Sequence, residues 1–167
     1  MKRLTLVRHA KSSWKDSSLD DFDRPLNQRG ERDAPVMGRR LKARGARPSM
    51  ILTSPALRAH RTARLIAEAI GYPDEFLQRE AELYLADPAT ILAVVMREGD
   101  ACNDIFVCGH NPGMTDLANQ LTNSRIDNVP TCGIVAMEAD IVDWKDCADA
   151  PWQIDFFDYP KRLPDAD

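Results

Sequence analysis

The chain has 167 residues, of which 44% are hydrophobic and 29% are charged, and its formal net charge is −4. This size and composition are typical of a globular protein and predict one folded domain over residues 1–167. The negative charge argues against general nucleic-acid binding. No run of residues approaches the roughly 18 apolar residues of a membrane span. The predicted partners therefore include neither nucleic acid nor a membrane.

The N-terminus and the cysteines indicate a cytoplasmic protein. Lys2 and Arg3 carry charge like that of a signal peptide, but the apolar run that follows them ends at Arg8, which is too early for a secretion signal. The cysteines contain no Cys-x-x-Cys pair, which disfavours a zinc or thioredoxin-like site and favours reduced thiols. We expect no metal and no cofactor.

Apolar periodicity predicts alternating strands and helices. The predicted strands are short apolar runs at about 3–8, 49–53, 104–108, 133–137 and, more weakly, 152–157, with a short strand or loop within 76–84. Helices are predicted to begin at the capping residues Asn27, Ser54, Asp87 and Asn111. This order predicts an α/β fold, a three-layer α/β/α sandwich with a mostly parallel central sheet and an antiparallel edge strand near the C-terminus.

Arginine and histidine side chains follow the predicted strands directly. Arg8 and His9 end the first strand, His110 follows the strand at 104–108, and Arg58 lies early in the second predicted helix. The carboxyl ends of parallel strands meet at one edge of the sheet, where α/β proteins bind ligands. Two predicted helix N-termini add amide donors there. Because the arginine fork grips phosphate oxygens in pairs, the sequence predicts a pocket for a tetrahedral dianion.

The motifs of several other phosphate enzymes are missing. The chain has no Gly-x-x-x-x-Gly-Lys-Ser/Thr loop, which disfavours a P-loop NTPase. It has no Cys-x5-Arg or Gly-x-Ser-x-Gly sequence, which disfavours a thiol or serine nucleophile. Histidine and arginine would therefore handle the phosphate alone.

Three sequence blocks resemble the histidine phosphatase superfamily, also called the phosphoglycerate mutase-like superfamily. Arg-His-Ala at 8–10 resembles its Arg-His-Gly signature, and Ser-Ser-Trp at 12–14 resembles the Ser-x-Trp that follows. Thr-Ser-Pro-Ala-Leu-Arg-Ala at 53–59 and Gly-His-Asn-Pro-Gly at 109–113 resemble its second and third blocks. The resemblance implies a phosphoglycerate mutase-like form of the α/β/α sandwich.

Two further segments resemble the small SixA-type phosphohistidine phosphatases of that superfamily. These segments are Arg-Pro-Leu-Asn-x-x-Gly at 24–30 and Pro-Lys-Arg-Leu at 160–163. The resemblance therefore extends over nearly the whole chain.

The resemblance implies a covalent, two-step phosphoryl transfer. His9 would attack phosphorus as a neutral imidazole and form a phosphohistidine, which water then hydrolyses. Arg8, Arg58 and His110 would hold the equatorial oxygens, with His110 acting as a cation or a donor. The second ring nitrogen of His9 is best held by a carbonyl or a carboxylate, and the two histidines imply a pH optimum bounded on both sides. The further predicted substrate-binding residues are Ser12 and Asn111.

The acid that protonates the leaving group is predicted from relatives that use a glutamate in the middle of the chain. Glu82 is favoured over Glu80, and Asp21 in the loop 11–24 is a further candidate. An imidazole leaving group has a conjugate acid near neutral pH and needs less help than an alkoxide. The chain also has no long insertion that could cover a sugar phosphate. Both points favour a protein phosphohistidine as the substrate.

The function predicted from the sequence is thus a metal-independent phosphohistidine phosphatase acting on a phosphorylated protein. One alternative is an enzyme for a small phosphorylated substrate, either a phosphomonoesterase or a phosphoglycerate mutase. A second is a non-catalytic phosphate-binding module. A metal-dependent hydrolase built on His9, His60 and His110 is disfavoured, since His60 falls on the polar side of the second predicted helix.

Overall fold

The computed structural model describes residues 1–162, so the last residue of the SixA-like segment at 160–163 lies outside the described residues. The six strands are β1 Lys2–Arg8, β2 Met50–Thr53, β3 Gln78–Arg79, β4 Asp104–Gly109, β5 Ile134–Ala139 and β6 Gln153–Asp158. They form one sheet in the order β3-β2-β4-β1-β5-β6.

The four strands β1 to β4 are parallel, whereas β5 runs antiparallel to β1 and β6 runs antiparallel to β5. The mostly parallel sheet is therefore confirmed, but two C-terminal strands are antiparallel where the sequence predicts one edge strand. The segment before β5 explains the difference. Cys132 donates its backbone N–H to the carbonyl of His9 at 3.0 Å. The chain has thus already returned to the carboxyl end of β1 before β5 begins. From there β5 can pair with β1 only by running in the opposite direction.

Four helices cover the two faces of the sheet: α1 Gln28–Ala43, α2 Leu57–Ile70, α3 Pro88–Glu98 and α4 Gly113–Thr122. Alternate side chains of β1 point to opposite faces. Val7 joins the cluster that includes residues of α1 and α2, and Leu4 and Leu6 join the cluster that includes residues of α3 and α4. The predicted three-layer sandwich is confirmed. Within residues 1–162, no helix combines the length and apolar character needed to cross a bilayer.

Of the four predicted helix caps, two are confirmed and two are wrong. Asn27 accepts a hydrogen bond from the Gly30 N–H and Asp87 accepts one from the Thr90 N–H, each at 2.9 Å. The helix predicted to start at Ser54 begins instead at Leu57. The Ser54 hydroxyl accepts a bond from the N–H only two residues ahead, at 3.2 Å, and this local turn delays the helix. The N-cap of α4 is Pro112 and not Asn111.

The start of α4 lies against the chain that leads into α3. A Cβ added at Gly113 would meet the backbone carbonyl of Ala86, which has little room to move. We expect Gly113→Ala to lower the free energy of unfolding in urea by about 1–3 kcal/mol. The control Gln120→Ala, at an exposed position of the same helix, should change it by less than about 0.5 kcal/mol. Equal stability of the two variants would contradict this packing.

Candidate active site

The carboxyl ends of β1 and β4 and the first turn of α2 bring the predicted pocket residues together. His9 follows β1, His110 follows β4, and Arg58 is the second residue of α2. The three side chains are buried, with exposed fractions of 8%, 2% and 2%. The ring centroids of His9 and His110 lie 5.3 Å apart, and Arg58 Nη2 lies 3.4 Å from His110 Nδ1.

His9 is a neutral imidazole with one nitrogen free. Its Nδ1 lies 2.7 Å from the carbonyl oxygen of Ala10, and since that oxygen only accepts, Nδ1 must carry the proton. Burial, reinforced by the charges of Arg58 and Arg8, lowers the pKa of His9 to about 4. At neutral pH the Nε2 atom therefore keeps its lone pair, as a nucleophile requires.

His110 is neutral in the opposite tautomer. Arg58 Nη2 is a donor, so His110 Nδ1 accepts, and its Nε2–H donates to the Ser54 hydroxyl at 2.8 Å. Burial lowers the pKa of His110 to about 3, helped by the charges of His9 and Arg58. Of the two roles that the sequence suggests, cation or donor, this arrangement supports the donor, with the proton on Nε2.

Each of the two arginines has a buried donor nitrogen without a described hydrogen-bond partner. Arg8 Nη1 donates to the carbonyl of Val129 at 2.9 Å. The Nε atoms of Arg8 and Arg58 are buried and have no hydrogen-bond partner among the described residues. Because an unpaired buried donor is costly, these nitrogens mark a place suited to an anion.

Asp21 reaches Arg58 from the loop 11–24. Arg58 Nη1 donates to its backbone carbonyl at 2.6 Å, and Nη2 donates to its Oδ2 at 2.9 Å. The Tyr84 hydroxyl donates to the same Oδ2 at 2.5 Å, and Arg24 Nη2 donates to Oδ1 at 3.0 Å. The Tyr84 bond, followed by those from Arg24 and Arg58, holds the pKa of Asp21 well below its usual range. Asp21 is therefore an ionised anchor for Arg58.

Tyr84 is the pocket residue that the sequence analysis missed. It lies between Asp21 and His110, and its ring centroid is 5.5 Å from that of His110 with the ring planes at 83°. Its hydrogen bond to Asp21 raises the pKa of the phenol, so the hydroxyl stays protonated. The available signal was an aromatic residue two positions beyond Glu82, with no motif around it.

Glu82, the acid that the sequence favours, is paired with a cation of α3. Its Oε2 accepts from Arg97 Nη1 at 2.6 Å, and half of its side chain is exposed. Glu80 also binds Arg97, through Nη2 at 3.0 Å. None of the described hydrogen bonds of either glutamate involves a pocket residue. The sequence places both in the right region, but α3 supplies a cation that holds their carboxylates.

The two predicted substrate-binding side chains are already engaged. Ser12 Oγ accepts from Arg24 Nη1 at 2.7 Å. Asn111 Oδ1 accepts from the Thr115 N–H at 3.2 Å, and its Nδ2 donates to the Val129 carbonyl at 3.0 Å. Asn111 thus binds the first turn of α4 and ties it to the segment that holds Arg8. Both side chains support the pocket walls through these bonds.

His60 lies apart from the paired histidines. Its one described hydrogen-bonding neighbour is Arg79 Nη2, at 3.5 Å from its Nδ1. In the part of the chain that the structure describes, no three His, Cys, Asp or Glu side chains gather as metal ligands would.

The sequence matches a known family. The profile of the histidine phosphatase superfamily (branch 1) matches residues 4–88, which include Arg8, His9 and Arg58. The chain belongs to this superfamily.

Several proteins are similar to the chain, two over most of its length and one over less than half of it. An uncharacterized chloroplastic protein of Arabidopsis thaliana is 31% identical over 153 residues, covering 87% of this chain and 70% of the relative. An uncharacterized protein of Mycobacterium tuberculosis is 35% identical over 141 residues, covering 78% and 85%. A 2,3-bisphosphoglycerate-dependent phosphoglycerate mutase of Methylobacterium is 44% identical over 73 residues, covering 42% and 35%.

Solved structures share the fold. A protein of Agrobacterium tumefaciens, provisionally described as the phosphohistidine phosphatase SixA, superposes with a TM-score of 0.81 at 25% identity, covering 95% of this chain and 98% of that one. The protein histidine phosphatase SixA complexed with tungstate gives a TM-score of 0.77 at 20% identity, covering 95% and 97%. The phosphoglycerate mutase-like fold is thereby confirmed.

The protonation states of the two paired histidines are directly measurable. We expect ¹⁵N NMR of the histidine rings to give titration midpoints near pH 4 for His9 and near pH 3 for His110, because burial and the neighbouring arginines disfavour the imidazolium. A midpoint at or above the ordinary value of 6.5 for either ring would contradict the described pocket.

The lowered pKa values of His9 and His110 also determine how the stability of the fold changes with pH. Unfolded histidines protonate near pH 6.5, so between pH 6.5 and about 4 the unfolded state binds more protons than the folded state. We therefore expect the free energy of unfolding to fall as the pH is lowered through this window. His9→Asn should reduce that dependence, as measured by urea titrations at several pH values.

Proposed function

We propose that this chain is a phosphohistidine phosphatase in which His9 is the nucleophile. The observation that carries the proposal is the neutral His9, whose Nδ1–H is fixed by the Ala10 carbonyl at 2.7 Å. Its free Nε2 lies in a buried pocket with the guanidinium of Arg58 and the ring of His110. Residues 1–167 would act as one domain, since a single sheet carries both core clusters.

The reaction has two balanced steps. In the first, His9 Nε2 forms a bond to phosphorus while the substrate P–N bond breaks, and the leaving imidazole keeps the electron pair of that bond. In the second, a water oxygen bonds to phosphorus, the His9 P–N bond breaks, and inorganic phosphate leaves carrying the protons of that water. The proton on Nδ1 lets His9 depart from phosphorus as a neutral imidazole.

Arg8 and Arg58 would hold the phosphoryl oxygens, and His110 would join them by turning the Nε2–H that it donates to the Ser54 hydroxyl toward the phosphate. The buried, unpaired Nε atoms of the two arginines are donors that such an oxyanion would satisfy. Tungstate is also a tetrahedral oxyanion, and a SixA of the same fold has been solved in complex with it. Ser12 and Asn111 would contribute through the walls that their hydrogen bonds stabilise.

The hydrogen bonds that already engage the two candidate acids favour an imidazole leaving group. Both carboxylate oxygens of Asp21 already accept bonds from Arg58, Tyr84 and Arg24, and Glu82 is paired with Arg97. None of these carboxylates is placed to deliver a proton. The second ring nitrogen of a phosphohistidine takes up a proton from solvent near neutral pH, so the imidazole can leave as a neutral molecule, whereas an alkoxide needs a proton from the enzyme.

A second candidate is a small-molecule phosphomonoesterase or mutase. The observation in its favour is the local 44% identity to a phosphoglycerate mutase over 73 residues. The compartment we propose is the cytoplasm, which suits four cysteines that are all free thiols. The Arabidopsis relative is described as chloroplastic.

The first test compares two histidines. His9→Ala should abolish release of phosphate from a phosphohistidine peptide, because it removes the attacking nitrogen. The control His60→Ala should keep wild-type kcat/KM, since His60 lies outside the pocket. Residual activity of His9→Ala above buffer would overturn the nucleophile, and a large preference for glucose phosphate would overturn the substrate. Phosphate binding without turnover of either substrate would favour the binding module.

The second test compares two arginines of α2. Arg58→Ala should lower kcat/KM by about 100- to 1000-fold, as removing a preorganised oxyanion donor does elsewhere. Arg58→Lys should restore little, because a lysine cannot replace the planar fork. Arg61 pairs with Glu31 at an exposed position, so Arg61→Ala is the matched control with unchanged kcat/KM. Similar losses in the Arg58 and Arg61 variants would contradict the assignment.

A further inference from the structure

Two aromatic rings stand at the open side of the pocket. The Tyr84 ring lies 5.5 Å from His110, and Phe22 lies 5.1 Å from Tyr84 with the ring planes at 82°. Phe22 is 38% exposed, so part of its ring faces solvent. The rings of Tyr84 and Phe22 therefore form a perpendicular corner that starts at His110 and ends in solvent.

The chemistry of transfer places the leaving group on this side. Attacking and leaving atoms lie on opposite sides of phosphorus, so a group displaced by the buried His9 would leave toward the more exposed side of the pocket. The solvent side is marked by Asp21, whose side chain is 44% exposed and binds the buried Arg58 on one flank. Tyr84 binds the same carboxylate oxygen, so the aromatic corner lies next to the path of the departing group.

We propose that Tyr84 and Phe22 form a leaving-group site that selects flat, aromatic rings, as in the imidazole of a phosphohistidine. This inference rests on the proposed function and deepens it by assigning specificity residues. Two perpendicular rings offer a third ring one face for stacking and one edge for a T-shaped contact. An imidazole matches both geometries.

A sugar would find few polar partners at the same place. The Tyr84 hydroxyl already donates to Asp21, and the Asp21 oxygens already accept from Arg58 and Arg24. Sugar hydroxyls would leave water and gain no new hydrogen bonds there, which costs binding energy. The corner therefore discriminates against polyhydroxylated leaving groups as well as favouring rings.

The position of the corner is linked to the phosphate-holding residues. Tyr84 is tied through Asp21 to Arg58, and Arg24, on the other oxygen of Asp21, lies 3.6 Å from the centre of the Trp14 ring. The loop 11–24 thus holds the corner and the guanidinium in one network. A Tyr84→Phe change removes the hydroxyl of this network and keeps the ring.

The test measures a ratio of two dissociation constants by calorimetry, glycerol phosphate over benzyl phosphate. Both ligands carry the same phosphate group, so the ratio reports on the shape of the group attached to it. The wild type should prefer benzyl phosphate. Phe22→Leu and Tyr84→Leu should each lower the ratio about three- to tenfold, the range for one aromatic pair. Tyr84→Phe should keep the ratio. The control Phe76→Leu, at an exposed site outside the pocket, should leave it unchanged.

Two outcomes separate this inference from the proposed function. If both leucine variants keep the wild-type ratio, the aromatic corner does not select rings, even if phosphohistidine peptide remains the best substrate. If the ratio falls as expected but the phosphohistidine peptide is not hydrolysed, the corner stands and the proposed substrate fails. A ratio that falls equally in Phe76→Leu would also overturn the inference.

Discussion

The hydrogen bond between His9 and its own neighbour Ala10 is the constraint on which the site depends. This bond, 2.7 Å long, fixes the proton on Nδ1 of His9 and leaves Nε2 as a base. The Ala10 peptide is itself fixed, because its N–H donates to Thr62 Oγ1 at 2.9 Å. Thr62 in turn donates to the carbonyl of Arg58 at 2.7 Å. One short chain of hydrogen bonds therefore links the backbone beside His9 to the backbone of Arg58. It fixes the position of the nucleophile relative to the arginine.

The protonation states of the pocket residues follow from this arrangement. Burying His9, His110 and Arg58 together is tolerable only while the two imidazoles are neutral, and their lowered pKa values express this. Asp21 supplies the compensating negative charge from the solvent side. The same carboxylate, held by three donors, has no proton to give. The pocket is thus arranged to hold an anion and to release a leaving group that needs no proton from these carboxylates.

Much of this was readable from the sequence because it is local. Short apolar runs ending in Arg8-His9 and Gly109-His110 predict both the strands and the edge at which their side chains meet. The helix start at Ser54 was misplaced because its hydroxyl serves a turn and His110. The role of Asp21 and the engagement of Glu82 depend on partners far along the chain, Tyr84 and Arg97. No periodicity or spacing encodes such pairings, so loop residues were the least predictable part.

Trapping the covalent intermediate tests the central claim most directly. Rapid quenching of the enzyme with a radiolabelled phosphohistidine substrate, followed by peptide mapping, would locate any bound phosphate. His9 as nucleophile predicts label on the peptide containing residue 9, stable to base and lost in acid, with none in His9→Ala. Label on another residue, or steady turnover with no label under quench conditions that preserve phosphohistidine, would contradict it.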